Sequence, residues 1–426
     1  MIDKNNIPVG YKDSPVGIIP QEWEVKTFGE IGIFSKGSGI SRSEANTGNI
    51  PCVRYGELYT HHHNFIKIYN SFISKEVAAN SKLLKYGDIL FAATGETKGE
   101  IGKSVVFIDK IEAYAGGDII IVSPDFKLSD SLYMGYLSNS ISVIRQKATR
   151  GQGDAIVHIT SDAIKNILIP LPPLAEQKKI AEVLSVWDDA IEKQSKLIEK
   201  LELRKRGLMQ CLLSGRTRLP GFTEPWKQVK LGQIGETYTG LSGKTKEDFE
   251  NGNSRYIPYI NVFSNETINT KDIEIVKINV GERQNKVKFG DIFFTVSSET
   301  PDEVGMVSVL LDDVEDTYLN SFCFGYRLND FKILEPVFAS YILRGDKFRK
   351  KITTLAQGST RFNLSKNEVM KLQIELPSLS EQQAIAEVLT SAEREIKNHR
   401  KKIEALRQQK RGLMQQLLIG KTRVKI

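Results

Sequence analysis

LPPLAEQKKIAEVL at residues 171–184 recurs as LPSLSEQQAIAEVL at residues 376–389. KRGLMQCLLSGRTR at 205–218 recurs as KRGLMQQLLIGKTR at 410–423. Both pairs keep one offset of 205 residues without a gap, which marks an internal duplication. Each copy reads as one long helix. Prolines 172–173 and 377 stop the segment before it, because proline restricts itself and its predecessor. Ser380 and Gln383 have capping-box spacing. Gly215 and Gly420 follow the last apolar pair, where a left-handed C-terminal cap belongs.

Apolar residues in these segments alternate spacings of four and three, the seven-residue period of a coiled-coil seam. The first seam is Ile180, Leu184, Trp187, Ile191, Ile198, Leu201 and Leu208, ending at Leu212. The second is Ile385, Leu389, Ala392, Ile396, Ile403, Leu406 and Leu413, ending at Leu417. Both turn polar at the same places, Gln194/His399 and Lys205/Lys410. Those positions are either tolerated at the seam edge or a central polar pair that fixes register. A helix of about 38 residues spans roughly 57 Å. A seam that long needs a partner, and the other copy is the obvious one.

The segments between the helices correspond more faintly. Trp23 in IPQEW matches Trp226 in TEPW, and Lys85–Ile89 (KYGDI) matches Lys288–Ile292 (KFGDI), both at an offset of 203. Gly153 aligns with Gly358 and Ile169 with Ile374. IPCVRYGELY (50–59), DILFAAT (88–94), DIIIVS (118–123), RYIPYINVF (255–263) and DIFFTV (291–296) read as strands from their β-branched and aromatic content. LYMGYLSNSISVIRQKA (132–148) and VFASYILRGDKFRKKI (337–352) read as helices. The fold class is therefore α+β: two domains, 1–170 and 220–375, alternate with long helices at 171–219 and 376–426. The helices are expected to pair as an antiparallel coiled coil, giving the chain a pseudo-two-fold.

Composition bounds the function. The chain has 426 residues, 40% hydrophobic and 26% charged, as in a soluble globular protein. No apolar run is long enough to span a membrane, and Met1–Asn6 lacks the apolar core of a secretory signal. Cys52, Cys211 and Cys323 are odd in number and lack C-x-x-C spacing, which fits a reducing cytoplasm and no thiolate metal site. The net charge of +7 is concentrated in the duplicated segments, while the two large blocks are nearly balanced. Any basic face on those blocks must come from folding.

The order of diverged domain, helix, diverged domain, helix resembles the specificity subunits of type I restriction-modification enzymes. Each domain opens near a tryptophan and closes in I-P-L-P-P-L-x-E-Q, at residues 169–177, with the copy IELPSLSEQ at 374–382. The G-S-T-R-x-N-L-S motif of that family stands complete at Gly358–Ser365. The first domain has GQGDAIVHIT instead, keeping Gly153 and a hydrophobic position at Ile159. The resemblance covers essentially the whole chain. It implies two target-recognition domains, each reading one half of a split double-stranded DNA sequence, held apart by the helix pair. It further implies two methyltransferase subunits around the helices, joined by restriction (motor-nuclease) subunits. No catalytic site or cofactor is expected on this chain; S-adenosylmethionine, ATP and Mg belong to the partners.

Base readout favours Arg or Lys to guanine and Asn or Gln to adenine, with hydroxyls and amides holding phosphates. Candidates in the first domain are Lys36, Ser38, Ser41, Arg42, Arg54, Tyr55, Thr97, Lys98, Arg150 and Gln152. In the second they are Ser242, Lys244, Lys246, Tyr259, Asn261, Ser298, Gln357, Ser359, Thr360 and Arg361. For any one of them a plain solvated loop is the competing reading.

Several enzyme signals fail. Gly243-Lys244-Thr245 lacks the earlier glycine of a phosphate loop, its place being held by Tyr238. Asp88, Glu96 and Lys98 mimic a nuclease's acidic pair and lysine, but the second copy has Pro301 at the lysine position. His61–His63 reads as an exposed loop, with only two other histidines in the chain. Three rivals stay open: the same architecture serving an enzyme that cuts on both sides of its site, a cryptic nuclease, and a purely structural coiled-coil protein.

Overall fold

The computed structural model describes residues 7–426. They pack into two compact units, one running to Ser195 and including Lys402–Ile426, the other Lys196–Lys401. The domain boundaries expected at 171, 220 and 376 follow the duplication. Packing divides the chain otherwise, giving each unit one diverged domain and half of each long helix.

In the first unit, β1 (Gly32–Lys36), β2 (Ile89–Ala92), β3 (Ser104–Val106) and β4 (Ile119–Pro124) form an antiparallel sheet in the order β1-β4-β2-β3. A second, mixed sheet joins Ser71–Ile73, Ile50–Val53, Tyr114–Ala115 and Lys82–Leu83. The second unit repeats this plan. Its β5 (Gly235–Thr239), β6 (Ile292–Thr295), β7 (Val307–Val309) and β8 (Cys323–Leu328) run β5-β8-β6-β7. Its mixed sheet joins Glu274–Val276, Ser254–Ile257 and Thr317–Leu319. Strands β2 and β6 are buried along their whole length, which is why they read as unbroken apolar runs.

The turn entering β2 and β6 explains the repeated G-D-I. Gly87 and Gly290 have φ of +87° and +82°, and a Cβ there would collide with Phe126 and Phe331. The aspartates that follow close the turns. Asp88 accepts from Lys85 N at 2.8 Å and Ser123 Oγ at 2.6 Å; Asp291 accepts from Lys288 N at 2.8 Å. Burial raises the Asp88 carboxyl above its usual range. This aspartate is held in a strand entry, not offered to a metal.

Four local expectations need correction. Residues 50–59 and 255–263 are strands only to Val53 and Ile257; short helices Tyr55–Thr60 and Tyr259–Ser264 follow. Their apolar residues Leu58 and Val262 are buried, so helical packing overrides aromatic content. The two expected domain helices are each broken in two: Ser131–Leu137 and Ile141–Arg150, then Pro336–Ile342 and Asp346–Thr353. The breaks carry side chains bonded to the sheets. Asn139 Nδ2 reaches Ser104 O at 2.7 Å, and Arg344 Nε reaches Val307 O.

The long helices are Leu174–Leu212 and Leu379–Leu418, 39 and 40 residues. Gly215 and Gly420 take the expected left-handed conformation, φ +71° and +72°. The capping box does not form, because the second helix already starts at Leu379 and Ser380 lies inside its first turn. No helix among the described residues is long and apolar enough to cross a membrane.

Within the first unit, Ile180, Leu184 and Leu417 share one core with Trp23, Phe28, Phe91 and Tyr133. Within the second, Leu212, Ile385 and Leu389 share one with Leu231, Phe294, Phe338 and Tyr341. Of the other seam positions, Leu201, Ile396 and Ile403 are buried, while Trp187, Ile191, Ile198, Leu208, Leu406 and Leu413 are half-buried.

Candidate nucleic-acid interface

In each unit, two distant loops are brought together by a two-residue strand pair. Thr94–Gly95 pairs with Val157–His158, and Ser297–Ser298 with Phe362–Asn363. Both later segments are tight hairpins. Gln152 exchanges backbone hydrogen bonds with His158, and Gln357 with Asn363, at 2.8–3.0 Å. Gly153 and Gly358 make the bend at φ +107° and +133°; a Cβ would stand 2.1 Å from Ile156 O or Arg361 O. So GQGDAIVHIT builds the same hairpin as QGSTRFNLS despite lacking S-T-R. The signal was the glycine with the 205-residue offset, not the side chains. At the place of Arg361 the first unit has Ile156, 58% exposed.

A cleft lies beside each hairpin. In the first unit it is about 310 Å³, lined by Lys36, Gly37, Ala93, Ile159 and Thr160 among others. In the second it is about 510 Å³, lined by the corresponding Thr239, Gly240, Val296, Leu364 and Ser365, with Ser242. Three loops foreseen in the sequence thus converge in each unit: the one after β1 or β5, the one after β2 or β6, and the hairpin. Of the candidates, Lys36 and Ser242 line these clefts, and Ser38, Ser41, Arg42, Thr97, Gln152, Lys246, Gln357, Ser359, Thr360 and Arg361 are exposed along the three loops. Lys98 is 3.6 Å from Asp154, an ion pair between two of these loops.

Other candidates have internal partners. Asn261 is buried; its amide donates to Asn269 O at 2.9 Å and Asp272 O at 3.1 Å and accepts from Asn269 N. It holds a loop and has no free edge for adenine. Lys244 is buried against Glu282 at 2.6 Å and lowers that carboxyl to about 2. Ser298 Oγ donates to Glu303 at 3.2 Å. Arg54 is half-buried 3.6 Å from Glu57 and precedes the helix that carries the exposed Tyr55. Arg150 donates to Gln146 O at 3.0 Å and Asn166 O at 3.4 Å. Tyr259 donates to Ser297 O at 2.9 Å, steadying the second loop, and burial raises its phenol. Of the histidine run, His62 is buried, and burial lowers its imidazole.

Sequence reasoning missed the residues that fasten each diverged domain to the long helices. Glu176 is fully buried, accepting from Trp23 Nε1 at 2.9 Å and from both Nε and Nη2 of Arg423 at 2.6 and 2.9 Å. Glu381 takes the same two-pronged grip from Arg218 at 2.5 and 2.6 Å. The indole N–H of Trp226, unlike that of Trp23, has no acceptor. Gln177 accepts from Asp130 N and donates to Leu128 O, both at 2.9 Å; Gln382 does the same with Glu335 N and Ile333 O. The E-Q of the closing motif is a clasp.

Lys410 and Lys205 form a second fastening, neither a tolerated seam edge nor a pair with each other. Lys410 binds Asp188, which also accepts from Tyr136 OH at 2.6 Å. Lys205 binds Glu393, which accepts from Tyr341 OH at 3.0 Å, and it reaches Glu266 at 3.1 Å. Burial lifts the Glu266 carboxyl to about 7. Every member except Glu266 has a counterpart at 205 residues, and that offset is the signal that was available in the sequence.

Comparison with known proteins bears directly on this arrangement. A family model described as the type I restriction modification DNA specificity domain matches twice, at residues 20–203 and 223–408. The specificity subunit of the type I restriction enzyme MjaVIII of Methanocaldococcus jannaschii is 28% identical over 427 residues, 96% of this chain and 94% of that one. The EcoKI specificity subunit of Escherichia coli K12 is 23% identical over 311 residues, 69% of this chain and 65% of its own. A chain from a structure on assembly and conformational transition of the type I system has a TM-score of 0.62 at 17% identity, covering 95% and 99%. The crystal structure of an S subunit from M. genitalium has a TM-score of 0.53 at 16% identity, covering 93% and 96%. With both halves matched, this chain belongs to the type I restriction-modification specificity subunits, carrying DNA target recognition and no catalysis of its own.

Proposed function

We propose that each unit reads one half of a bipartite duplex target, the exposed hairpin and its two neighbouring loops supplying the contacts. The observation that carries this reading is the repetition of one loop-and-hairpin arrangement in two units whose exposed side chains differ. Equivalent frames with different side chains fit two half-sites of different sequence. The long helices pair as an antiparallel coiled coil that sets the gap between half-sites, of the order of one DNA turn, ~34 Å. Two methyltransferase subunits bind around them, with restriction subunits joining, in the cytoplasm. S-adenosylmethionine, and ATP with Mg, act on those subunits and not on this chain.

Methylation mapping of host DNA, with the gene present and deleted, tests this. The expected result is a split motif with a fixed gap that vanishes on deletion. Exchanging residues 1–170 for another family member's first domain should then change one half of that motif; change in both halves would overturn the modular reading.

A further inference from the structure

Exposed positions on the two long helices have mostly diverged since the duplication. Lys178/Gln383, Val186/Ser391, Lys193/Asn398, Leu203/Gln408 and Cys211/Gln416 all differ. Six have not: Glu182/Glu387, Lys196/Lys401 and Glu199/Glu404 are scattered along the helices, whereas Arg206/Arg411, Gly207/Gly412 and Gln210/Gln415 cluster within five residues. Buried residues are kept by the core they fill, but these fill none. The glycines are the sharper anomaly. Glycine inside a helix is destabilising relative to alanine. A Cβ on Gly207 or Gly412 would meet nothing within 4 Å, so nothing inside either unit requires the missing side chain.

The bare stretch therefore suits something outside the chain that packs closely on the helix. Mid-helix N–H groups are already bonded to the preceding turn, so the glycine offers a phosphate no donor. It does offer a protein segment close van der Waals approach. The charge beside it is positive. In the second unit Arg206 shares a cleft of about 750 Å³ with Arg216 and Lys350. Arg411, Lys421 and Arg145 are their counterparts at the same 205-residue offset. The cleft's acids are Glu375, already 3.0 Å from Lys347, and Asp346.

We propose that Arg206–Gly207–Gln210 and Arg411–Gly412–Gln415 are two equivalent docking patches, each seating an acidic segment of a partner protein present in two copies. The inference rests on the reading above, in which that partner is the methyltransferase subunit. The full chain is co-purified with its cognate methyltransferase subunit, and copies per complex are read by native mass spectrometry. Gly207→Leu and Gly412→Leu should each lower two copies to one, and the double variant to none. Because leucine is the better helix former, melting temperature should not fall. Arg206→Glu with Arg411→Glu should weaken assembly at least tenfold. Two copies retained by all variants, with affinity within twofold, overturns the patches and leaves the specificity reading intact. Copies retained with DNA affinity lost overturns a protein occupant in favour of phosphate. A wild-type chain that recruits no methyltransferase subunit overturns the reading and the patches with it.

Discussion

Lys147 and Ile352 stand at equivalent places in the two units, one offset of 205 apart, and both are fully buried. Ile352 lies in an apolar core. Lys147 instead donates to Gly102 O at 2.6 Å and Ser138 O at 3.0 Å, with its ammonium 5.7 Å from the Phe91 ring and no carboxylate among its bonded partners. Burial lowers the amine to about 7. The clasps differ in the same spirit. Glu176 satisfies both Trp23 and Arg423, whereas Glu381 holds Arg218 alone and leaves the Trp226 indole unpaired. Duplicated frames thus keep their geometry while the way they satisfy buried polar groups drifts.

The largest effect expected from this contrast is at the clasps. Glu176→Ala strands the buried Trp23 indole and takes from Arg423 its buried acceptor, leaving that guanidinium Glu22 at 3.1 Å, at a cost of about 3 kcal/mol. Glu381→Ala should cost less, about 2 kcal/mol, because one partner fewer is orphaned. Denaturant titration read by peptide-resolved hydrogen exchange separates the units; equal losses would break the comparison.

Next in size is a pH dependence of the first unit. With the folded amine near 7 and the unfolded one near its ordinary value, the unfolded chain binds the extra proton between those limits. First-unit stability should therefore fall as pH drops from about 10 towards 7, by at most about 1.4 kcal/mol per pH unit, and level off below. Lys147→Met should remove most of that slope, leaving the smaller part that the buried Lys103 amine contributes.

The two hairpins offer a third contrast. Arg361→Ala should weaken specific DNA binding by about 1–3 kcal/mol, measured as the ratio of target to scrambled duplex. Its counterpart Ile156→Ala should change that ratio little, as no base-edge donor is lost. Loss of equal size on both duplexes for Arg361→Ala would make it a phosphate contact. The smallest effect expected is at the second fastening. Tyr136→Phe deletes one hydrogen bond and Tyr341→Phe two, the second shared with Thr390 at 3.1 Å, each worth about 1 kcal/mol. The second unit should therefore lose more, although Lys205 keeps Glu266 at 3.1 Å.

The sequence by itself determined the duplication, the two long helices with their glycine caps, the strands whose residues are buried throughout, and the family. All of these are periodic or local: a fixed offset, a seven-residue spacing, a short apolar run. It also placed the loops that gather beside each hairpin, since turn chemistry and runs of Gly, Ser, Lys and Arg are legible residue by residue. Only the tertiary structure decided which candidates are free to act. Asn261 and Lys244 have the right chemistry for a base or phosphate, yet partners 8 and 38 positions away in the chain occupy them. It alone decided, too, that GQGDAIVHIT and QGSTRFNLS are one hairpin and that Lys205 and Lys410 pair with carboxylates. Those outcomes depend on contacts between segments up to 247 residues apart, as in the Glu176–Arg423 clasp, and no local pattern encodes which distant group will satisfy a buried charge.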